Sequence, residues 1–89
     1  MHEILRTSQF RRDVKLVQKR GMDTDLFRSV IEILAQGQPL SAKHKDHQLK
    51  GAFKDCRECH FEPDWLLTYR VEGNVLQLVR TGTHSDLLR

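Results

Sequence analysis

Residues 65–80 read WLLTYRVEGNVLQLVR, two runs of strand-forming residues on either side of Gly73-Asn74. Aromatic and β-branched residues favour strands, and a glycine-asparagine pair between two such runs is typical of a two-residue hairpin turn. The stretch therefore predicts two neighbouring antiparallel strands, Trp65 to Val71 and Val75 to Arg80. This hairpin is the part of the sequence that most directly determines the fold.

Two amphipathic helices are predicted upstream of the hairpin. The first begins at a cap within residues 7–8 and ends at Gly21. The second begins at a cap at residue 23 or 24, and Gly37 with the following proline ends it. Its apolar residues recur at helical spacing, which indicates one buried face. They are Leu26, Phe27, Val30, Ile31 and Leu34.

The order of these elements predicts the fold class. Ile4-Leu5 and the run from Phe53 to Phe61 add two strands, whereas residues 38–52 are polar, lack a period and indicate a long connection. We expect an α+β fold of order β-α-α-β-β-β, in which two N-terminal helices pack on one face of a mainly antiparallel sheet of about four strands. The tail after Thr81 is expected to form a closing turn or short helix.

Length and charge restrict the classes of protein to consider. The chain has 89 residues, which predicts a single domain over residues 1–89. A net charge of +3 and a pI of about 9.1 favour nucleic acid or an acidic partner. No apolar leader and no apolar segment of roughly 20 residues is present, so we expect a cytoplasmic protein without a membrane partner. The two cysteines are expected to be free thiols.

Histidines are the residues that most directly suggest chemistry. Four of the five lie in polar stretches between apolar runs, at positions 44, 47, 60 and 84. Imidazole titrates near neutral pH, so several imidazoles beside a carboxylate can take up and release protons without a cofactor. This pattern indicates metal-free acid-base chemistry.

The predicted hairpin brings distant residues together. In its register Val71 faces Leu76, Leu67 faces Arg80, and Asp64 reaches the level of Thr83. A tight turn at Glu62-Pro63 would pair His60 with Trp65, although proline can force a longer loop and a shift of one residue. The residues predicted to gather at one end of the sheet are His60, Asp64, Trp65, Arg80 and His84. His47 lies in the connection, where no register fixes it.

Residues 56–60, CRECH, carry a competing motif. They match the C-x-x-C-H pattern of covalent haem attachment, and with His44 and His47 they could be read as four zinc ligands. Haem attachment of this kind occurs outside the cytoplasm, and no export signal is present. Strand residues three apart point to opposite faces, which separates Cys56 from Cys59. We therefore expect packed cysteines, no metal site and no cofactor.

Three further motifs are spread over the second half of the chain. They are Lys45-Asp46-His47-x-Leu49-x-Gly51, Arg57-x-x-His60-x-x-Pro63-Asp64-x-Leu66-Leu67-x-Tyr69 and Arg80-Thr81-Gly82-Thr83-His84. Together they resemble the YafQ branch of the RelE/ParE toxin superfamily. The resemblance implies a bacterial type II toxin that cuts messenger RNA in the A site of the ribosome. It also implies a cognate antitoxin that inhibits the toxin and through which the complex binds operator DNA.

The resemblance also implies the site residues. The catalytic set would be His47, His60, Asp64 and His84, and the tryptophan after the aspartate, Trp65, is kept. At the position of a C-terminal phenylalanine in the best-known relative, this chain has Leu88. Trp65, Arg80 and Leu88 are thus the candidate substrate contacts, with Arg80 as a phosphate clamp because its planar fork donates two hydrogen bonds.

The chemistry of these residue types suggests how RNA would be cleaved. His84 would be the general acid and His47 or His60 the general base, while Asp64 would orient an imidazole or act as a base itself. Two alternatives remain at this point. One is a ParE-like toxin that inhibits gyrase, and the other is a non-catalytic adaptor that binds RNA or metal.

Overall fold

The computed structural model describes residues 1–88, which form a mixed sheet and three α-helices. The strands are β1 (Glu3–Arg6), β2 (His47–Gln48), β3 (Arg57–Glu62), β4 (Trp65–Glu72) and β5 (Val75–Gly82), and the helices are α1 (Ser8–Lys19), α2 (Thr24–Ala35) and α3 (His84–Leu87). Short 3₁₀ turns at Ala42–His44 and Gly51–Phe53 lie between α2 and β3.

The sheet has the order β1-β5-β4-β3-β2, with β1 parallel to β5 and the other pairs antiparallel. The predicted α+β class is confirmed, but the described residues form five strands rather than about four. The additional strand, β2, has two residues, too few to leave a periodic pattern. The third predicted strand begins at Arg57, because residues 51–53 form a 3₁₀ turn instead.

Both long helices begin and end near the predicted residues. The Thr7 side chain accepts a hydrogen bond from the Phe10 N–H at the start of α1, and Asp23 caps α2 in the same way. Gly21 and Gly37 follow the helix ends with φ values of +72°, a conformation that glycine adopts without steric cost. The caps therefore account for the helix boundaries.

The core lies between the two helices and one face of the sheet. Phe10 and Val17 of α1 and the apolar stripe of α2 pack against alternate residues of the strands. Cross-strand neighbours share a face, so these strand residues form one continuous apolar surface. They are Cys59, Phe61, Trp65, Leu67, Tyr69, Leu76 and Leu78. No helix within residues 1–88 is long and apolar enough to cross a membrane.

The hairpin has the predicted turn but a bulge further along. Val71 pairs with Leu76, as expected, and then an irregularity between Thr68 and Tyr69 shifts the register by one residue. Leu67 consequently pairs with Thr81 rather than Arg80, which corrects the prediction. The β3–β4 turn is also irregular, so His60 pairs with Leu66 and the predicted pairing with Trp65 is wrong by one residue.

Candidate functional site

The face of the sheet opposite the helices carries the candidate residues. One row of paired residues runs His47, Glu58, Thr68 and Arg80 across β2, β3, β4 and β5. The next row contains His60, and its last member is Gly82, two residues before His84. Because the two rows are adjacent on one face, residues from the predicted loop, a strand and the C-terminal helix meet there.

The three candidate imidazoles form a cluster. The ring centroids of His60 and His84 are 5.7 Å apart, and those of His47 and His60 are 6.5 Å apart. The predicted proximity of His60 and His84 is confirmed. His47, which no register could place from the sequence, lies beside them because β2 pairs with β3. The centre of the cluster is thus His60.

Asp64 holds His84 by two hydrogen bonds to the same oxygen. The backbone N–H of His84 donates to Asp64 Oδ1 over 2.9 Å, and its ring Nδ1 donates to that oxygen over 2.5 Å. These bonds lower the pKa of Asp64, first through the backbone N–H and then through the imidazole. Asp64 is therefore ionised at neutral pH, and the Nε2 atom of His84 is the ring nitrogen left for a substrate.

The helix that begins at His84 is fixed by its own cap and by an ion pair. Thr83 and Asp86 form a capping box in which each side chain accepts from the other's backbone N–H. Arg20 at the end of α1 donates two hydrogen bonds to the Asp86 carboxylate, of 2.5 and 3.1 Å. The Arg20 guanidinium, followed by the Thr83 N–H, holds the pKa of Asp86 well below its usual range.

Glu58 is an acidic group at the site that the sequence analysis missed. Its carboxylate is buried, and Oε1 lies 3.9 Å from Nε2 of His47. A glutamate between two cysteines gave no sign of burial. Its position two residues before His60 could have placed it at the site, because alternate residues of a strand point to the same face.

A second missed group anchors the segment before His47. Asp46 Oδ1 accepts hydrogen bonds from the Tyr69 hydroxyl, at 2.6 Å, and from Arg57 Nε, at 3.2 Å. Burial, with the Asp46 contact, raises the pKa of Tyr69 far above its usual range, so the hydroxyl remains a donor at neutral pH. His44, in contrast, is buried and donates from Nδ1 to the His60 carbonyl over 2.7 Å.

Arg80 lies in the row of His47 but is already paired. Its Nε and Nη2 atoms donate to the buried Asp13 carboxylate of α1, at 2.8 and 3.3 Å. Asp13 also accepts from the Thr81 backbone N–H, which joins α1 to β5. This pairing uses one edge of the guanidinium and leaves Nη1 outside it, so contact with a phosphate stays a prediction.

Trp65 does not fit its predicted role as a substrate contact. Its side chain is about 1% exposed, packed against the rings of Phe27 and Phe61, and its indole N–H donates to Thr81 Oγ1 over 3.0 Å. The first position of β4 points to the helix face, away from the histidines. The structure corrects this prediction and makes Trp65 a core residue.

Leu88 ends the described part of the chain, one helical turn after His84. It caps α3 with a φ of +58° and is 91% exposed. The leucine side chain is accessible but has no aromatic face for a nucleobase. Its predicted contact with substrate stays a prediction.

The two cysteines are free thiols, both buried. Burial raises the pKa of the Cys59 thiol far above its usual range, as expected of a packing residue. Within residues 1–88, no group of three or more histidine, cysteine or acidic side chains is arranged to hold a metal ion.

Comparisons with known proteins agree with this geometry. Residues 2–89 match the sequence model of the family described as bacterial toxin of type II toxin-antitoxin system, YafQ. Over 82 residues the chain is 42% identical to the mRNA interferase toxin YafQ of Escherichia coli K12, covering 91% of this chain and 89% of that protein. A family match over nearly the whole chain is the stronger of the two findings.

Two solved structures have the same fold. YafQ in the crystal structure of the E. coli DinJ-YafQ toxin-antitoxin complex superposes with a TM-score of 0.90 at 39% identity, covering 99% of this chain and 98% of that one. A metal-bound toxin from Helicobacter pylori gives 0.91 at 47% identity, covering 98% and 99%. The chain therefore belongs to the YafQ family of bacterial type II toxin-antitoxin toxins.

Proposed function

We propose that this protein is a ribosome-dependent endonuclease of messenger RNA, the toxin of a type II toxin-antitoxin system. The observation that supports this most directly is the cluster of three imidazoles, one of them hydrogen-bonded to an ionised aspartate. The name of the 42% identical E. coli relative, an mRNA interferase, supports the same reaction.

Cleavage of RNA without a metal needs a base for the 2′-hydroxyl proton and an acid for the leaving 5′-oxygen. His84 is the proposed acid, because Asp64 holds its Nδ1 and leaves Nε2 to face the leaving oxygen. His60 or His47 is the proposed base. Each positioned proton transfer contributes about 10²- to 10⁴-fold to the rate. The products would be a 2′,3′-cyclic phosphate and a 5′-hydroxyl.

Arg80 is proposed to stabilise the negative charge that builds up on the phosphate. A guanidinium has five N–H donors, of which the contact with Asp13 uses two. The remaining donors, on Nη1 and Nη2, can bind phosphate oxygens while Asp13 keeps the fork in place. Preorganised donors of this kind act mainly on the transition state.

A cognate antitoxin is the proposed partner that keeps the enzyme inactive. The E. coli relative forms a toxin-antitoxin complex with DinJ. The net charge of +3 favours an acidic antitoxin segment. Operator DNA would bind through the antitoxin in that complex.

Purified ribosomes programmed with a defined messenger RNA test the proposal. The wild-type protein and His2→Ala should cleave the message equally, because the Nδ1 atom of His2 donates to the Ala35 carbonyl on the far side of the fold. His84→Ala should lose at least about 100-fold in rate while it remains folded. Cleavage by His84→Ala at the wild-type rate would refute the assignment of the acid.

Three additional experiments distinguish this function from the two alternatives, a ParE-like gyrase inhibitor and a non-catalytic adaptor. Cleavage should persist when a chelator selective for transition metals is added and Mg²⁺ is kept for the ribosome, a test that matters because the H. pylori relative is metal-bound. Gyrase activity on supercoiled DNA should be unaffected, whereas inhibition would favour a ParE-like toxin. A cleavage rate that does not vary between about pH 5 and 8 would favour an adaptor with contaminating nuclease, since working imidazoles titrate there.

A further inference from the structure

We propose that Asp46, held by Tyr69 and Arg57, is the positioning residue that fixes His47 in the histidine cluster. The inference deepens the proposed function and rests on it, because it gives His47 a part in cleavage.

His47 sits on the least supported strand of the sheet. β2 has two residues at the edge, and its register contains two pairs, His47 with Glu58 and Gln48 with Arg57. Half of the His47 side chain is exposed. A histidine on so short an edge strand would sample several rotamers unless neighbouring residues held its backbone.

The ring of His47 depends on the backbone just before it. Its Nδ1 atom donates to the Lys45 carbonyl over 2.7 Å. Lys45 has a φ of +48°, a left-handed conformation that non-glycine residues keep only where their surroundings impose it. Whatever holds residues 45–46 therefore also sets the direction and tautomer of the His47 ring.

Asp46 is well placed to hold that backbone. The hydrogen bonds from Tyr69 and Arg57 converge on one oxygen, and Tyr69 is 2% exposed in the core. Gln48, on the other side of His47, donates to the Cys56 carbonyl over 3.0 Å. Since successive residues of an extended segment point to opposite sides, holding residues 46 and 48 on one side directs His47 to the other side, toward the cluster.

A double-mutant cycle on ribosome-dependent cleavage tests the coupling. Tyr69→Phe removes one hydroxyl and should lower the single-turnover rate by about 3- to 30-fold in the wild-type background. In a His47→Ala background the same change should lower the rate less than about two-fold. Thr7→Ala, which removes a cap at the opposite edge of the sheet, is the matched control and should act equally in both backgrounds.

An NMR measurement of the imidazole nitrogens gives a readout independent of activity. In the wild-type protein His47 should show the Nδ1-protonated tautomer, and Tyr69→Phe should change its ring signals while those of His2 stay unchanged. Asp46→Ala, which removes the oxygen that accepts from Tyr69 and Arg57, should reproduce both effects and replaces Tyr69→Phe if that variant does not fold.

The outcomes distinguish the inference from the proposed function. Equal losses for Tyr69→Phe in both backgrounds, with unchanged His47 ring signals, would overturn the positioning role while leaving the endonuclease intact. A wild-type protein that does not cleave messenger RNA would overturn the proposed function. In that case the ring signals alone decide whether Asp46 positions His47.

Discussion

At the residue scale, Asp64 joins two segments that are far apart in the sequence. It lies in the β3–β4 turn, and its carboxylate holds both the backbone and the ring of His84 at the start of α3. The hydrogen bonds keep the carboxylate ionised, so at neutral pH it accepts from His84 rather than donating a proton. Of the roles that the sequence left open for Asp64, orientation of His84 fits this geometry.

Asp64→Asn and Asp64→Ala should separate the charge of Asp64 from its hydrogen bonding. Asparagine keeps an oxygen that can accept from His84, whereas alanine removes both the charge and the acceptor. We expect cleavage to fall about 10-fold in Asp64→Asn and about 100-fold in Asp64→Ala, in single-turnover assays at pH 7. Equal activity of the two variants and the wild-type protein would contradict an orienting role.

Trp65→Phe should affect stability rather than catalysis. The change removes the indole N–H bond to Thr81 and part of a ring that packs on Phe27 and Phe61. The free energy of unfolding should fall by about 1–3 kcal/mol, measured by urea denaturation. The cleavage rate per folded molecule should stay within about two-fold of wild type. A large loss of rate in a stable Trp65→Phe protein would restore the substrate-contact prediction.

The predictions for Trp65 and the histidines show which properties of single residues can be predicted from the sequence. The polar surroundings of His60 and His84 indicated exposure, and the hairpin indicated proximity, so both could be predicted. Trp65 follows Asp64 directly, and adjacent strand residues point to opposite faces. Trp65 was predicted to contact substrate because it follows Asp64 in the motif. As the first residue of β4, however, it points into the core.

At the element scale, bulges and short elements decide the final geometry of the site. The Gly73-Asn74 turn and both helices follow from local residue preferences and could be predicted. The bulge between Thr68 and Tyr69 could not, because neither residue is a glycine or proline that would mark an irregularity in the strand. It shifts the ladder by one residue, which moves Asp64 from the level of Thr83 to that of His84.

The four-residue helix α3 carries the proposed acid and needs external support. A Cβ atom at Gly82 would lie 2.9 Å from the Asp86 Cβ atom, so only glycine lets β5 turn closely into α3. The Arg20–Asp86 ion pair then ties α3 to α1. A helix of one turn has little stability of its own, so these contacts keep His84 in the cluster.

The free energy of unfolding should depend on pH because the ionised Asp86 side chain holds α3 in place. The pKa of Asp86 is lower in the folded protein than in the unfolded chain, where it is about 3.9. Its stabilising contribution is therefore fully present above about pH 4 to 5 and is lost as the pH falls through the lowered value. Asp86→Asn should be less stable than wild type by on the order of 1 kcal/mol at pH 7, and the difference should become smaller as the pH falls from about 4 to 3.

Urea unfolding at several pH values between 3 and 7 measures this difference. Asp55→Asn is a suitable control, because Asp55 is an exposed carboxylate away from α3. A stability difference for Asp86→Asn that stays constant down to pH 3 would show that its ionised form is not what anchors the helix.

At the scale of the whole molecule, the proposed cleavage site is accompanied by few side chains suited to binding RNA. Single-stranded RNA is usually held by bases stacked on aromatic side chains. Of the six aromatic residues, Phe53 is the one exposed large hydrophobic, and Trp65 and Tyr69 are buried. The net charge of +3 thus remains as the main source of affinity, which accords with the proposal that the ribosome presents the substrate.

Binding to free single-stranded RNA should consequently be weak and strongly salt-dependent. A few phosphate contacts without stacking predict a dissociation constant of about 1–100 µM near physiological salt. The logarithm of the affinity should fall with the logarithm of salt concentration, with a slope of about −0.7 for each phosphate contacted. Fluorescence polarisation of a labelled RNA with the His84→Ala variant measures both quantities without cleavage. Tight binding that salt does not weaken would mean that the fold holds a base-stacking surface, and the ribosome would no longer be needed to present the message.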